Sequence, residues 1–309
     1  MTVPRLELLS ILLVFGLSLA GCTSEGDSAS NSSATAVEKH VELRAAMRAV
    51  EPFFQPMGKP GRYDWLATTR ESGQTFDEYI ASNPTLPTAD RNVIYVQPIG
   101  KFNSDQSKVI KIASDYLSAL YGLNVRSLPL KPLPRKLPEP DQRMIDYPAH
   151  RQIRTGWVME TMLKPGLPSD AAALIAFTNE DLYPDTSMYF VFGQASLDDR
   201  VGVWSLYRLD DKTGFDRFLE RTMKIAAHEV GHMFSMRHCT KYECVMSGTN
   251  HLAETDRRPI DACPECMAKI VWMTSKSPAE RYERLVRFAK RHGLTDAESD
   301  FQKKLKAVQ

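Results

Sequence analysis

Three scarcities bound this chain before any motif is considered. Net charge is nearly nil: 39 Lys and Arg stand against 38 Asp and Glu among 309 residues, a formal +1. So even a balance carries no electrostatic footprint for nucleic acid, an acidic substrate or a charged membrane surface. Cysteine is scarce too. Of five in all, none lies between Cys22 and Cys239, so an N-terminal propeptide has no further thiol with which to block a downstream metal. Long apolar runs are missing as well: the most apolar stretch, Leu8 to Gly21, has 14 residues, short of the ~20 that a membrane-spanning helix needs. No internal repeat is visible, which excludes a solenoid. What remains is an ordinary globular mix, 43% hydrophobic and 25% charged, with length for one large domain or two small ones. Function must come from local constellations.

The first of these is at the start. Arg5 gives a positive n-region that Glu7 weakens, and Leu8 to Gly21 reads as a signal-peptide h-region. It ends Leu19-Ala20-Gly21-Cys22, which resembles a bacterial lipobox. In that resemblance residues 1–21 are removed and Cys22 becomes the lipidated first residue. The alternative is an ordinary secretory signal with Cys22 as a spare thiol. Thr23, rather than Asp, follows the cysteine and points to the bacterial outer membrane, the cell surface or the periplasm. Thr23 to Ala36 is Ser, Thr, Ala, Gly and acid with no large apolar side chain, so 22–36 reads as a flexible tether. Its typical reach is roughly 20 Å. The membrane is then met through the lipid only.

Apolar spacing predicts a short helix over Val37–Val50, and Pro52 to Gly61 breaks it. Asn92–Ile99 reads as a buried strand. Ser104–Tyr121 reads as a helix capped by Ser104 and ended by Gly122, followed by a strand over Leu123–Leu128. Five prolines between Pro129 and Pro140 demand an extended connection. A helix is expected over His150–Leu163, strands over Ala171–Thr178, Met188–Phe192 and Val201–Tyr207, and a helix over Met223–Phe234. Pro278 to Val308 reads as a charged helical cap. The alternation points to a mixed sheet packed by helices, an α/β chain.

The Met223–Phe234 helix carries His228-Glu229-Val230-Gly231-His232. Residues four apart lie one above the other on a helix face, so both imidazoles can converge on one ion. Glu229, about 100° further round, can reach water there. His238 follows; if the helix ends near Ser235 and the chain turns back, it completes a three-histidine zinc site with a fourth position open, the pattern of a catalytic zinc. Glu229 then serves as general base and acid.

HEVGHMFSMRHC, with CVM and CPEC downstream, resembles the archaemetzincins, whose pattern joins H-E-x-x-H-x-x-G-x-x-H-C to C-x-M and a later C-x-x-C. IYVQPIG near Ile94, TNEDLYP near Asn179, FVFGQAS near Phe192, SGTNHLAETDRRP near Thr249 and GQTFDEYI near Phe76 read like that family also, so the likeness runs from about Trp65 to Phe288. It implies a metzincin-type zincin fold: a mixed, mainly parallel twisted sheet with an antiparallel edge strand, an active-site helix and Met246 as a Met-turn methionine beneath the metal. It implies zinc-dependent hydrolysis of peptide bonds in a peptide or protein substrate. One residue departs from the pattern. The family glycine is Ser235 here, where a left-handed turn would cost a side chain about 1–2 kcal/mol, so Ser235→Gly is expected to be neutral or stabilising.

Cys239, Cys244, Cys263 and Cys266 form a C-x4-C and a C-x2-C pair. They suit a closed four-cysteine zinc site, as the resemblance also implies, or, in an exported protein, two disulfides. The expectation is two Zn2+ per chain, one catalytic and one structural. His251 and Glu254 are read as solvated loop residues and Asp181 as a turn residue; His40, His150 and His292 have no role assigned. Met188 to Ser196 is the candidate edge strand for pairing with substrate. The domain reading is 37–90 as an N-terminal helical extension, 91–290 as the catalytic domain and 291–309 as a C-terminal helical tail. No nucleic acid and no specified oligomer enter it, and a monomer is expected. A zinc-stabilised binding or scaffold lipoprotein that cleaves little is the other class of function.

Overall fold

The computed structural model describes residues 40–210 and 212–309; the leader, Cys22 and the tether lie outside the described residues. In chain order the strands are β1 (Val93–Ile99), β2 (Asn124–Ser127), β3 (Gln142–Ile145), β4 (His150–Arg154), β5 (Ala171–Thr178), β6 (Asp181–Tyr183), β7 (Gly193–Ala195) and β8 (Val201–Ser205). The helices are α1 (residues 40–50), α2 (Trp65–Thr68), α3 (Phe76–Ala81), α4 (Ser104–Tyr121), α5 (Thr155–Trp157, continued by a wider coil over Val158–Leu163), α6 (Phe215–Met233), α7 (Leu252–Arg257), α8 (Pro264–Thr274), α9 (Pro278–Arg291) and α10 (Thr295–Val308). Among the described residues no helix is long and apolar enough to cross a membrane.

The main sheet runs β2-β1-β5-β8-β7, with every pairing parallel except β7 against β8. This is the mixed, mainly parallel sheet with an antiparallel edge strand that the family resemblance implied. Both faces are buried, which explains the apolar runs of β1 and β5. Ile94 and Val96 with Ala173, Ile175 and Phe177 turn to one face and join the core that α4 and α6 close. Val93, Tyr95, Leu174 and Ala176 turn to the other, against Val158, Met159 and Leu163. Each large side chain buried this way stabilises the fold by about 1.5–3 kcal/mol.

Several local readings are corrected. The cap of α4 is Asn103: its side chain accepts from Gln106 N at 2.8 Å while Gln106 Oε1 accepts from Asn103 N at 3.0 Å, a reciprocal box that Ser104 cannot make one residue later. Gly122, at φ +68°, ends the helix as expected. The segment from His150 is not helical at first; residues 150–154 are β4, and helix begins at Thr155. The cause is a buried carboxylate 31 residues away. Asp181 Oδ2 accepts from His150 Nε2 at 2.9 Å and Gln152 Nε2 at 2.7 Å, and Arg208 binds both carboxylate oxygens at 2.7–2.8 Å. Burial pushes Asp181 up, but these partners outweigh it and hold the group below 3.8. Asp181 is therefore a hub of the second sheet, β3-β4-β6, rather than a turn residue, and His150 has a partner. The expected strand at Met188–Phe192 is displaced to Gly193–Ala195. Residues 188–192 form no strand of their own: Val191 N bonds Leu182 O and Phe192 O accepts from Ser205 N at 2.8 Å, while Phe190 and Tyr189 pack under the Arg208 guanidinium.

The motif helix α6 starts eight residues before Met223, at Phe215. The C-terminal stretch divides at Gly293 into α9 and α10. Arg281 of α9 and Lys304 of α10 are buried on Asp261, at 2.6 and 3.0 Å. Burial raises that carboxyl, and the two cations hold it below 3.8.

Candidate metal centres

His228 and His232 stand one turn apart on the last turns of α6. The helix stops at Met233 because Ser235 takes up φ +60°, the left-handed conformation expected of it. Ser235 N then donates to His232 O at 2.8 Å and Met236 N to Gly231 O at 3.0 Å, bonds that satisfy the last carbonyls of the helix. The chain folds back and brings His238 to the other two; the three ring centroids lie 4.5–5.0 Å apart.

Every ring is fixed through Nδ1. His228 Nδ1 donates to Val245 O at 3.0 Å, His232 Nδ1 to Met236 O at 2.7 Å and His238 Nδ1 to Glu71 Oε1 at 3.0 Å. Carbonyl and carboxylate oxygens only accept, so each Nδ1 holds a proton, and in the neutral ring Nε2 is the atom left to ligate. The Nε2 atoms of His228 and His232 face one another at 2.9 Å. A shared cation would sit where these two nitrogens meet, and one ligand nitrogen from each of the three rings lies within 4.8 Å of the others. The residues fit a metal such as zinc. Burial, then the neighbouring imidazoles, drives His228 well below its usual range and His232 down to about 4. His228 and His232 are thus neutral, the form that ligates.

Glu229 lines the same cleft and is nearly covered; burial pushes its carboxyl up to about 8. The edge strand leaves it room, since a Cβ on Gly193 would press on Glu229 Oε1 at 3.0 Å. Met246 packs against α6 at Gly231, between His228 and His232 in the chain. A Cβ on Gly231 would collide with its sulfur, so the helix and the methionine approach as closely as a glycine permits. The cleft holds about 580 Å³ and is walled by Phe190, Phe192, Ile225 and Val245, with β7 along one side. Trp65 lines it too, and neither Trp65 nor Glu71 carries any sequence signal pointing to this site.

The four cysteines converge in a separate buried cluster, with one sulfur from each within 4.8 Å of the others. None of the four forms a disulfide. Cys239 Sγ and Cys263 Sγ lie 3.5 Å apart, far beyond a disulfide bond of ~2.05 Å and close to the ~3.8 Å edge of a tetrahedron with metal–sulfur bonds of ~2.3 Å. Amides of Met246 and Cys263 donate to Cys244 Sγ at 3.4 and 3.3 Å, an arrangement suited to thiolates. The donor set fits a closed zinc site. One strap links the two centres: Cys239 follows His238, Cys239 N donates to Met246 O at 2.8 Å, and Val245 O receives His228.

Glu254 is not a solvated loop residue, and His251, though partly exposed, is held by a partner. Glu254 is fully buried and accepts from Trp65 N, Asn250 N and Arg258, while His251 meets Asp64 Oδ1 at 3.2 Å. These bonds dock α2 against α7.

Comparison with known proteins gives a consistent answer. A family model described as Peptidase family M54 matches residues 170–271. The chain is 32% identical over 282 residues to Archaemetzincin-2 of Homo sapiens, a match covering 80% of this chain and 77% of that protein. It is 30% identical to an Archaemetzincin of Archaeoglobus fulgidus over 57% of this chain and 98% of that protein. Among solved structures, the archaemetzincin of Methanopyrus kandleri superposes with a TM-score of 0.50 at 27% identity, covering 62% of this chain and 99% of that one.

Proposed function

Because the chain belongs to the archaemetzincin family, a family of zinc metallopeptidases, we propose that it hydrolyses peptide bonds at the three-histidine centre with Glu229 as its proton carrier. One observation carries this: three imidazoles locked through Nδ1 present their Nε2 atoms to one point, beside a buried carboxyl in an open cleft. Bound there by His228, His232 and His238, zinc supplies Lewis acidity that polarises a scissile carbonyl and brings the pKa of water toward ~7.

The chain's own residues do the rest. Glu229 takes a proton from the attacking water as its oxygen bonds to the carbonyl carbon. It then gives that proton to the amine as the C–N bond breaks. The free edge of β7 offers backbone donors and acceptors to an extended peptide, which sets the scissile bond over the histidines. This edge, Gly193–Ala195, falls within the Met188–Ser196 stretch read from the sequence. Cys239, Cys244, Cys263 and Cys266 hold a second, structural zinc, closed to substrate and without chemistry of its own. Cys22 carries the lipid, and the tether that follows it stands the enzyme off an outward-facing bacterial membrane as a monomer.

The mechanism is tested with the full chain and its Glu229→Ala form on a diverse peptide library. Native mass spectrometry should count two zincs on both proteins, while cleavage falls by about 10²–10⁴-fold. Unchanged turnover in the variant sinks the assignment, and two intact zincs with no cleavage by either protein favour a binding role. The anchor is tested by Cys22→Ser, which should move the chain from the membrane to the soluble fraction; retention in the membrane rejects it.

A further inference from the structure

The three histidines are not fastened alike. His228 and His232 donate to backbone carbonyls, of Val245 and Met236, supplied within 20 residues of themselves. His238 donates to a carboxylate 167 residues upstream, with Glu71 Oε1 at 3.0 Å and Oε2 at 3.1 Å. Glu71 is itself held by the Trp65 indole, whose Nε1 donates to Oε1 at 2.7 Å while the ring stands edge-on to His238 at 5.1 Å. The rest of this segment grips the same loop. Tyr79 Oη donates to Phe234 O at 2.9 Å, Gln74 Oε1 accepts from Arg237 N at 3.1 Å, and Thr240 Oγ1 donates to Ser72 O at 3.2 Å. Lys269 Nζ, buried, bonds Gln74 O at 2.6 Å and locks the segment to α8.

We propose that Glu71 is the positioning residue for the third metal ligand, and that residues 65–85 complete the active site. The proposal rests on the zinc-peptidase reading above. A carboxylate behind a ligating imidazole fixes the ring and raises the basicity of its Nε2. The loop needs this support more than the helix does. His228 and His232 are oriented by regular hydrogen bonding, but His238 sits past a left-handed serine in a loop without secondary structure.

The test is zinc affinity, by chelator competition on the full chain. Glu71→Ala should weaken one of the two zincs 10–100-fold and leave the other, at the cysteines, unmoved as an internal standard. Peptide turnover should fall in kcat with little change in KM. Glu71→Gln keeps an acceptor for Nδ1–H without the charge and should recover part of the loss. A merely structural role would lower thermal stability without selecting one zinc. Trp65→Phe removes the indole donor and retains the ring, so it gives a smaller weakening in a chain that folds even if Glu71→Ala does not. Zinc affinities unchanged in both Glu71→Gln and Trp65→Phe overturn the proposal. His238→Ala separates the two readings: if it too leaves both affinities unchanged, the three-histidine site itself is wrong.

Discussion

Ser235 allows backbone strain and side-chain bonding to be weighed at one atom. Its left-handed backbone costs a residue with a Cβ about 1–2 kcal/mol, and strain alone predicts that glycine there is neutral or stabilising. The structure adds a competing term. Ser235 Oγ accepts from Thr85 N at 3.0 Å and donates to Leu197 O at 3.3 Å, tying the helix end to two other segments. Each such bond contributes about 0.5–1.5 kcal/mol, and glycine adds about 0.5–1 kcal/mol of chain entropy to be lost on folding. Ser235→Ala keeps the strain and loses both bonds, a cost of about 2 kcal/mol. Ser235→Gly loses the same bonds but sheds the strain, for a net cost of about 1 kcal/mol. At about 2–4 °C per kcal/mol for a domain of this size, the alanine form should melt a few degrees below the glycine form, and both below the parent. Calorimetry on the full chain at one saturating zinc concentration reads this out, since bound metal also shifts the midpoint. An alanine form as stable as the glycine form would refute the strain; a glycine form more stable than the parent would refute the hydroxyl ties.

Cys263→Ser should reduce the zinc count from two to one by native mass spectrometry. It should also cost about 3–4 kcal/mol in a denaturation curve taken with zinc 100–1,000-fold above its Kd; an unaltered count would disprove the four-cysteine centre. Asp261 predicts acid sensitivity. Its folded pKa lies below 3.8 because Lys304 and Arg281 outweigh its burial, so its contribution is fully present above about pH 4 and is lost as pH falls through the folded value. Lys304→Met removes one partner of a buried pair, a cost of up to about 3–5 kcal/mol, reduced because Arg281 remains. Urea midpoints between pH 6 and pH 2.5 should converge for the two proteins at the acid end, and parallel curves would reject the linkage.

How much was legible follows the range of the interactions. Strands β1, β5 and β8 announce themselves because both faces are buried, so their apolar runs are continuous. The three histidines, Glu229 and the four cysteines could be paired from spacing, since helix geometry and short loops fix their distances. Even the backbone of Ser235 was readable from one position. The second sheet was not. In β4 the residues turned inward include Gln152, fully buried on Asp181, and a polar side chain whose partner lies far off in sequence looks solvated from within its own window. Met188–Phe192 failed the opposite way: apolar residues that wall a cleft read as a strand. Glu71 and Trp65 left no trace, because nothing nearby in the chain explains them and their target is 167 residues on.

The single peptide bond between His238 and Cys239 has a consequence for insertion and grafting. An insertion between them would turn either the imidazole or the thiol out of its cluster, so the two clusters share one backbone linkage. Loss of the four-cysteine cluster would loosen one end of the loop that carries the third histidine. A designer who grafts the three-histidine cluster onto another scaffold should carry the four cysteines with it.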